Sequence, residues 1–177
     1  MRWKHCAVLR RLRLPAATDA VTETRNMRLA RQLALATPAL LLGGALVSQY
    51  GFGLYPCEMC MWQRYPHFVA LGLAIIASFA PPKRLLVALA GIAILVSGGI
   101  GGFHAGVEYD WWEGLTACTT PVAEGGGSAL DAILNAPLVR CDEAPWDLFG
   151  ISLAGWNFLF SGLAGCVILW LLARKDA

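Results

Sequence analysis

Cys57-Glu58-Met59-Cys60 lies between two long apolar segments, and Arg64 follows one helical turn later. A disulfide closing so short a ring constrains little unfolded chain and adds little stability. It stays easy to exchange. By itself the C-x-x-C spacing has three readings: a redox couple, structural disulfides, or half of a zinc site completed by Cys118 and Cys141. The wide separation of the second pair counts against zinc, and no metal is expected. Arg64 sharpens the redox reading, since a guanidinium and a helix N-terminus both favour a thiolate at Cys60. A charge at that depth is costly and usually functional. Arg64 is also placed to donate hydrogen bonds to the carbonyl oxygen of a membrane quinone. The sequence carries no flavin or haem motif, so a quinone is the expected acceptor. Gln63 adds a potential hydrogen bond, and His67 and His104 lie near the same edge, where a histidine can move protons. The bland alternatives are an arginine snorkelling to lipid phosphate and histidines that only pack.

Four stretches without Asp, Glu, Lys or Arg must position these residues: 32–57, 65–82, 85–107 and 148–173. Each is about the ~20 residues that a membrane-crossing helix requires. The chain is 57% hydrophobic and only 15% charged, too apolar for an ordinary soluble domain. The expectation is an all-α membrane protein, a four-transmembrane-helix bundle. Spans are placed at about 32–50, 65–81, 85–104 and 150–172, with outer loops at about 51–64 and 105–149. The first stretch reads as a retained helix rather than a cleaved signal, because its apolar run is long and no small-residue cleavage site follows. Residues 1–28 form a basic, disordered tail in this reading, in which Met27 is an alternative start.

Charge orients the bundle. Of 14 Arg and Lys residues, only Arg64 and Arg140 fall on the side of the cysteine loops. The positive-inside rule then puts both termini in the cytoplasm and the active site in the periplasm of a bacterial inner membrane. That is the oxidising side, where dithiols work as disulfides. Cys6 and Cys166 read as a free thiol and a packing residue.

Within the outer loop, Tyr109, Trp111 and Trp112 suit the headgroup region. Gly125–Gly127 makes a hinge, and Ser128–Asn135 reads as a short interfacial helix capped by Ser128. A hinged loop with Cys118 and Cys141 on either side can change disulfide partners. Gly98 and Gly102 form a small-xxx-small pair for close helix packing.

The run Pro56-Cys57-Glu58-Met59-Cys60-Met61-Trp62-Gln63-Arg64-Tyr65 resembles the signature of the bacterial disulfide bond formation protein B (DsbB) family. The run from Cys141 through Pro145-Trp146-Asp147 to Gly150 resembles its second motif. The resemblance covers about residues 29–173. It implies a quinone-dependent thiol oxidase that reoxidises a periplasmic DsbA-like dithiol oxidase of thioredoxin fold. Cys118 and Cys141 match the pair that accepts electrons from that partner. Cys57 and Cys60 match the pair that passes them to ubiquinone or menaquinone, and Arg64 matches the quinone-contacting arginine. The expected cofactor-binding set is Arg64, Gln63 and His104. Expected surroundings are the lipid bilayer and its quinone pool, with no nucleic acid. The rivals are a membrane scaffold with structural disulfides and a variant oxidase serving a dedicated partner.

Overall fold

A computed structural model describes residues 23–115, 120–121 and 138–174 of the chain. Cys6, Cys118, the Gly125–Gly127 hinge and the expected helix at 128–135 lie outside the described residues. Four long helices dominate: α1 (Arg25–Phe52), α2 (Glu58–Phe79), α3 (Lys83–Glu108) and α4 (Leu153–Ala173). Between α3 and α4 run two small antiparallel ladders. One pairs β1 (Thr120–Pro121) with β2 (Leu138–Val139), and the other pairs β3 (Asp147–Leu148) with β4 (Ile151–Ser152).

By length and composition, α1, α3 and α4 are each long and apolar enough to cross a membrane. The opening turns of α2 carry Glu58, Gln63, Arg64 and His67, which lower its hydropathy. All four helices start or end beyond the charge-free stretches or the expected spans. α1 begins at Arg25, where Thr24 caps it and Arg31 pairs with Glu23 at 2.9 Å. α2 begins at Glu58, seven residues before its apolar run, because Cys57 serves as its N-cap.

The core is built from small residues. Ala70, Ala74 and Ala77 of α2, Val87, Ala90 and Ile94 of α3, and Ile168 of α4 are fully buried. Small side chains let backbones approach closely, which is how helices associate where lipid removes the hydrophobic drive between them. A methyl group at Gly98 would lie 3.1 Å from Ser161 Cβ, and one at Gly102 would lie 2.8 Å from the Phe158 ring. The small-xxx-small pair therefore does pack, both residues against α4. Large apolar side chains such as Leu40, Phe68, Phe79 and Leu163 point outward. An apolar exterior over a small-residue core suits a lipid environment.

The end of α3 is pinned to the start of α4. Tyr109 Oη donates to Gly150 O and accepts from Ser152 N, both at 3.0 Å. Trp112 folds back onto α3. Its indole donates to Phe103 O at 2.9 Å and stacks on the Phe103 ring.

Candidate active site

Cys57 caps α2, and its sulfur accepts from Cys60 N at 3.2 Å. One turn separates the two residues, so both sulfurs meet at the helix start, 2.9 Å apart. Both precede the charge-free stretch that begins at residue 65. Cys57 is buried in a small cluster with Met59, Val107 and Cys141. The ligand atoms of Cys57, His104 and Cys141 all lie within 4.8 Å of one another. The fold has thus brought a residue from the long connection between α3 and α4 against the first cysteine of the C-x-x-C.

Cys60 packs against the same cluster but, unlike Cys57, also reaches a cavity. It lines a cavity of about 250 Å³ flanked by α1, α2 and α4, together with Gln63, Arg64 and His67. These four sit at i, i+3, i+4 and i+7, one stripe of α2. Asn157 and Trp156 of α4 line the opposite side.

The two thiols are electrostatically unequal. The Cys57 thiol donates to Cys60, which lowers the Cys60 pKa, with His104 adding a smaller push in the same direction. The same hydrogen bond, with burial behind it, holds the proton on Cys57 and pushes its pKa up. A thiolate at Cys60 beside a thiol at Cys57 is the poise of an exchanging pair.

Arg64 was expected to steady that thiolate. Its hydrogen bonds run instead to α1: Nη1 to Gln49 Oε1 at 2.6 Å and Nη2 to Ala45 O at 3.4 Å. Its guanidinium therefore stands on the cavity wall, tied to α1. His104 is placed differently from the expectation too. It does not line the cavity. Its Nε2 lies 3.1 Å from Cys141 O and 3.6 Å from Cys57 Sγ, on the loop side of the pair.

Gln63 joins the two sides. Its Nε2 donates to Met59 O at 3.3 Å and to His104 Nδ1 at 2.8 Å, while its Oε1 accepts from Asn157 Nδ2 at 2.8 Å. Asn157 Oδ1 in turn accepts from Ser161 Oγ at 2.8 Å and faces His67 Nε2 at 3.0 Å. Ser97 Oγ donates to Gln63 O at 2.8 Å. Buried polar groups in lipid are tolerated when satisfied in this way. Sequence reasoning missed Ser97, Asn157 and the bridging place of Gln63. The one available signal was an Asn inside a charge-free stretch. Gly101 makes room for the network, because a methyl group there would lie 2.9 Å from both Ala154 O and Asn157 Nδ2.

On the loop side, Glu108 hydrogen-bonds Ser152 Oγ and approaches His104 Nε2 at 3.8 Å. Arg140 grips Asp142 through Nε at 3.0 Å and Nη2 at 2.6 Å, directly flanking Cys141. That cation holds the Asp142 carboxyl below its ordinary range.

A family model described as Disulfide bond formation protein DsbB matches residues 27–171. The chain belongs to the DsbB family. The disulfide bond formation protein B of Polaromonas sp. (strain JS666) is 32% identical over 159 residues, spanning 81% of this chain and 90% of that protein. The protein of the same description from Azoarcus sp. (strain BH72) is 30% identical over 160 residues, spanning 84% and 93%. That of Acinetobacter baumannii is 30% identical over 144 residues, spanning 73% and 81%. No solved structure matches the chain at comparable significance.

Proposed function

We propose that this DsbB-family chain is a dithiol:quinone oxidoreductase of the bacterial inner membrane. It reoxidises a soluble periplasmic dithiol oxidase of thioredoxin fold and so supports disulfide bond formation. The observation that carries the reading is the division of the C-x-x-C pair. Cys57 meets the outer-loop Cys141, and Cys60 meets a cavity. α2 also spans in this reading, making four, and the cysteine loops face the periplasm with both termini inside.

Thiol exchange then follows from placement. The reduced partner loses two electrons to a Cys118–Cys141 disulfide, becoming a disulfide itself and leaving both loop cysteines as thiols. Cys141, as thiolate, next attacks Cys57 of the oxidised C-x-x-C. The Cys57–Cys60 bond breaks and Cys60 leaves as thiolate. Its low proton affinity makes it the better leaving group of the two. Cys118 attacks Cys141, re-forms the loop disulfide and releases Cys57, which takes the proton. The net result is one dithiol at Cys57 and Cys60.

The cavity beside Cys60 suits a quinone ring. Its walls are mainly apolar, and Arg64, Gln63 and Asn157 line it. When bound, a quinone supplies a sink for two electrons and two protons, ending as quinol while Cys57 and Cys60 become a disulfide. Arg64 would hold such a ring by donating to one of its oxygens. Gln63 holds the cavity wall in register with His104. His104 keeps its Nε2–H between Cys141 O and Cys57 Sγ, from which a proton can pass to or from the Cys57 sulfur.

The test mixes purified protein, a short-chain quinone and a reduced periplasmic dithiol oxidase, and follows quinone absorbance. Catalytic loss of the quinone band is expected. The same assay with ubiquinone and menaquinone analogues, and with several partner oxidases, assigns the quinone and the partner. A protein that consumes no quinone while keeping its disulfides intact would be a scaffold, and the reading would fail.

A further inference from the structure

Three residues with metal-binding atoms converge at the start of α2. Cys57 caps that helix, His104 belongs to α3, and Cys141 comes from the connection between α3 and α4. Their ligand atoms all lie within 4.8 Å of one another, and all three residues are buried. His104 Nε2 stands 3.6 Å from Cys57 Sγ. Tetrahedral zinc, with Zn–S of about 2.3 Å and Zn–N of about 2.0 Å, sets such a pair about 3.5 Å apart. Two thiolates on one zinc stand about 3.8 Å apart by the same geometry. Cys60 Sγ, at 2.9 Å from Cys57 Sγ, is too near to be the second sulfur. The sequence offered zinc only the two cysteine pairs, whereas the fold takes one cysteine from each pair and adds a histidine.

We propose that the reduced protein has a zinc site made of Cys57 Sγ, Cys141 Sγ and His104 Nε2. The fourth position is open to water, as in other sites with three protein ligands. Binding releases the two thiol protons, and no electron moves. Two thiolates balance a dication, whereas Cu(I) would leave a buried negative charge. Glu108 Oε1, 3.8 Å from His104 Nε2, favours the dication further. Cys60 N already donates to Cys57 Sγ at 3.2 Å, a bond that steadies a metal-bound thiolate. Metal at Nε2 leaves the ring proton on Nδ1, 2.8 Å from the Gln63 side chain. The Gln63 amide must then turn its oxygen toward the ring.

The consequence of the site rests on the oxidase reading above. With zinc bound, the Cys57 sulfur cannot close on Cys60, and the Cys141 sulfur cannot attack. Zinc then holds the reduced protein out of turnover until a chelator removes it.

The test uses the full-length, detergent-solubilised protein, reduced with a phosphine and desalted without oxygen. Zinc is titrated against a chromophoric chelator, and Co(II) reports the ligands through its thiolate charge-transfer band. One equivalent of zinc should bind. Cys57→Ser, Cys141→Ser and His104→Gln should each weaken binding about 100-fold, since losing even a residue behind a ligand costs 10–100-fold. His104→Cys, which restores a ligand, should recover most of the affinity and strengthen the cobalt band, separating ligand loss from misfolding. Cys60→Ser and Cys118→Ser should bind zinc like the wild type. In a single turnover, zinc-loaded reduced protein should leave added quinone unconsumed until EDTA is added. Binding that survives His104→Gln unchanged, or that Cys60→Ser abolishes, would overturn the site. So would a wild type that binds no zinc while consuming quinone, an outcome that leaves the oxidase reading intact. Quinone consumption by the zinc-loaded protein would overturn the brake. A protein that binds zinc in this pattern yet consumes no quinone with EDTA present would sink the oxidase reading and keep the site.

Discussion

Cys57 caps α2 among Cys141, His104 and Val107, whereas Cys60, one turn on, lines the cavity with Gln63, Arg64 and His67. The loop side is built from a helix cap, a loop cysteine and a carboxylate–imidazole approach between Glu108 and His104. The cavity side is built from one stripe of α2 facing apolar side chains of α1 and α4. A helix start is what permits the difference. The N-cap residue still has extended backbone and points toward the incoming chain, while the residue three later already follows the helical stripe. A short dithiol can thus meet two environments at once: one sulfur against a loop cysteine, the other at a cavity.

The comparison breaks most sharply if the two sides are not separable in function. The double change Cys118→Ala with Cys141→Ala should abolish quinone reduction by a protein partner. It should retain activity with a small dithiol that reaches Cys57–Cys60 directly. Cys60→Ser should abolish both. Equal loss in the outer-pair variant, with the protein still folded, would replace the two-sided relay by a single four-cysteine unit. The assay is quinone absorbance with each reductant in turn.

The next effect concerns the inequality of the sulfurs. With the Cys60 pKa lowered by the hydrogen bond from Cys57, reduced protein should alkylate faster at Cys60 than at Cys57 at neutral pH, and the Cys60 rate should fall little as pH drops from neutral. An ordinary cysteine, with a pKa near ~8.5, would instead lose thiolate about tenfold per pH unit below that point. Cys57, whose proton is held, should stay slow throughout. Mass spectrometry after brief iodoacetamide pulses reads both sites. Indistinguishable profiles at the two cysteines would dissolve the distinction between the sides.

Arg64 tests the cavity side alone. Arg64→Gln should raise the quinone KM about tenfold, the scale of a lost charge-assisted hydrogen bond. Arg64→Lys should be intermediate, because a point charge lacks the planar fork. Since the arginine's hydrogen bonds run to Gln49 and Ala45, the Cys60 alkylation profile should not move in Arg64→Gln. A shifted profile would restore the expectation that Arg64 itself steadies the thiolate.

What the sequence made legible follows from how each feature is encoded. Charge-free runs reveal helices, since the cost of a charge in lipid does not depend on tertiary context. C-x-x-C at a helix start reveals a sulfur pair, because spacing alone brings the two together. Arg64 was found for the same reason, being one turn from Cys60, but its partner on α1 was not. That contact depends on how two helices meet, which composition does not state. Gln63, Ser97, Asn157 and Ser161 come from three helices, and only packing assembles them. His104 was assigned to the ring side because it sits near the same membrane edge. Its true facing, toward Cys141, is set by the rotation of α3, which a single histidine in an apolar run does not reveal.

The smallest expected effect tests whether the polar wall between the two sides depends on close helix approach. Gly101 and Gly99 lie two residues apart on α3 and face different surroundings. A methyl group at Gly101 would sit 2.9 Å from Ala154 O and Asn157 Nδ2 and 3.1 Å from Gln63 Oε1, whereas one at Gly99 meets nothing within 4 Å. Backbone and hydrogen-bonded amides cannot retreat as a flexible side-chain tip can, so Gly101→Ala must part α3 from α4 or break the Gln63–Asn157 bond. Overpacking of this kind costs about 1–3 kcal/mol, which lowers the apparent melting temperature by roughly 3–10 °C. Gly99→Ala should leave it unchanged or slightly raised, since Ala is the better helix former. Gly101→Ala should also slow quinone reduction with a small dithiol, because Gln63 would no longer hold both the cavity wall and His104. If Gly101→Ala melts with Gly99→Ala and turns over like the wild type, the amide network is incidental to the site. The two cysteine environments would then be held apart by the helix cap alone.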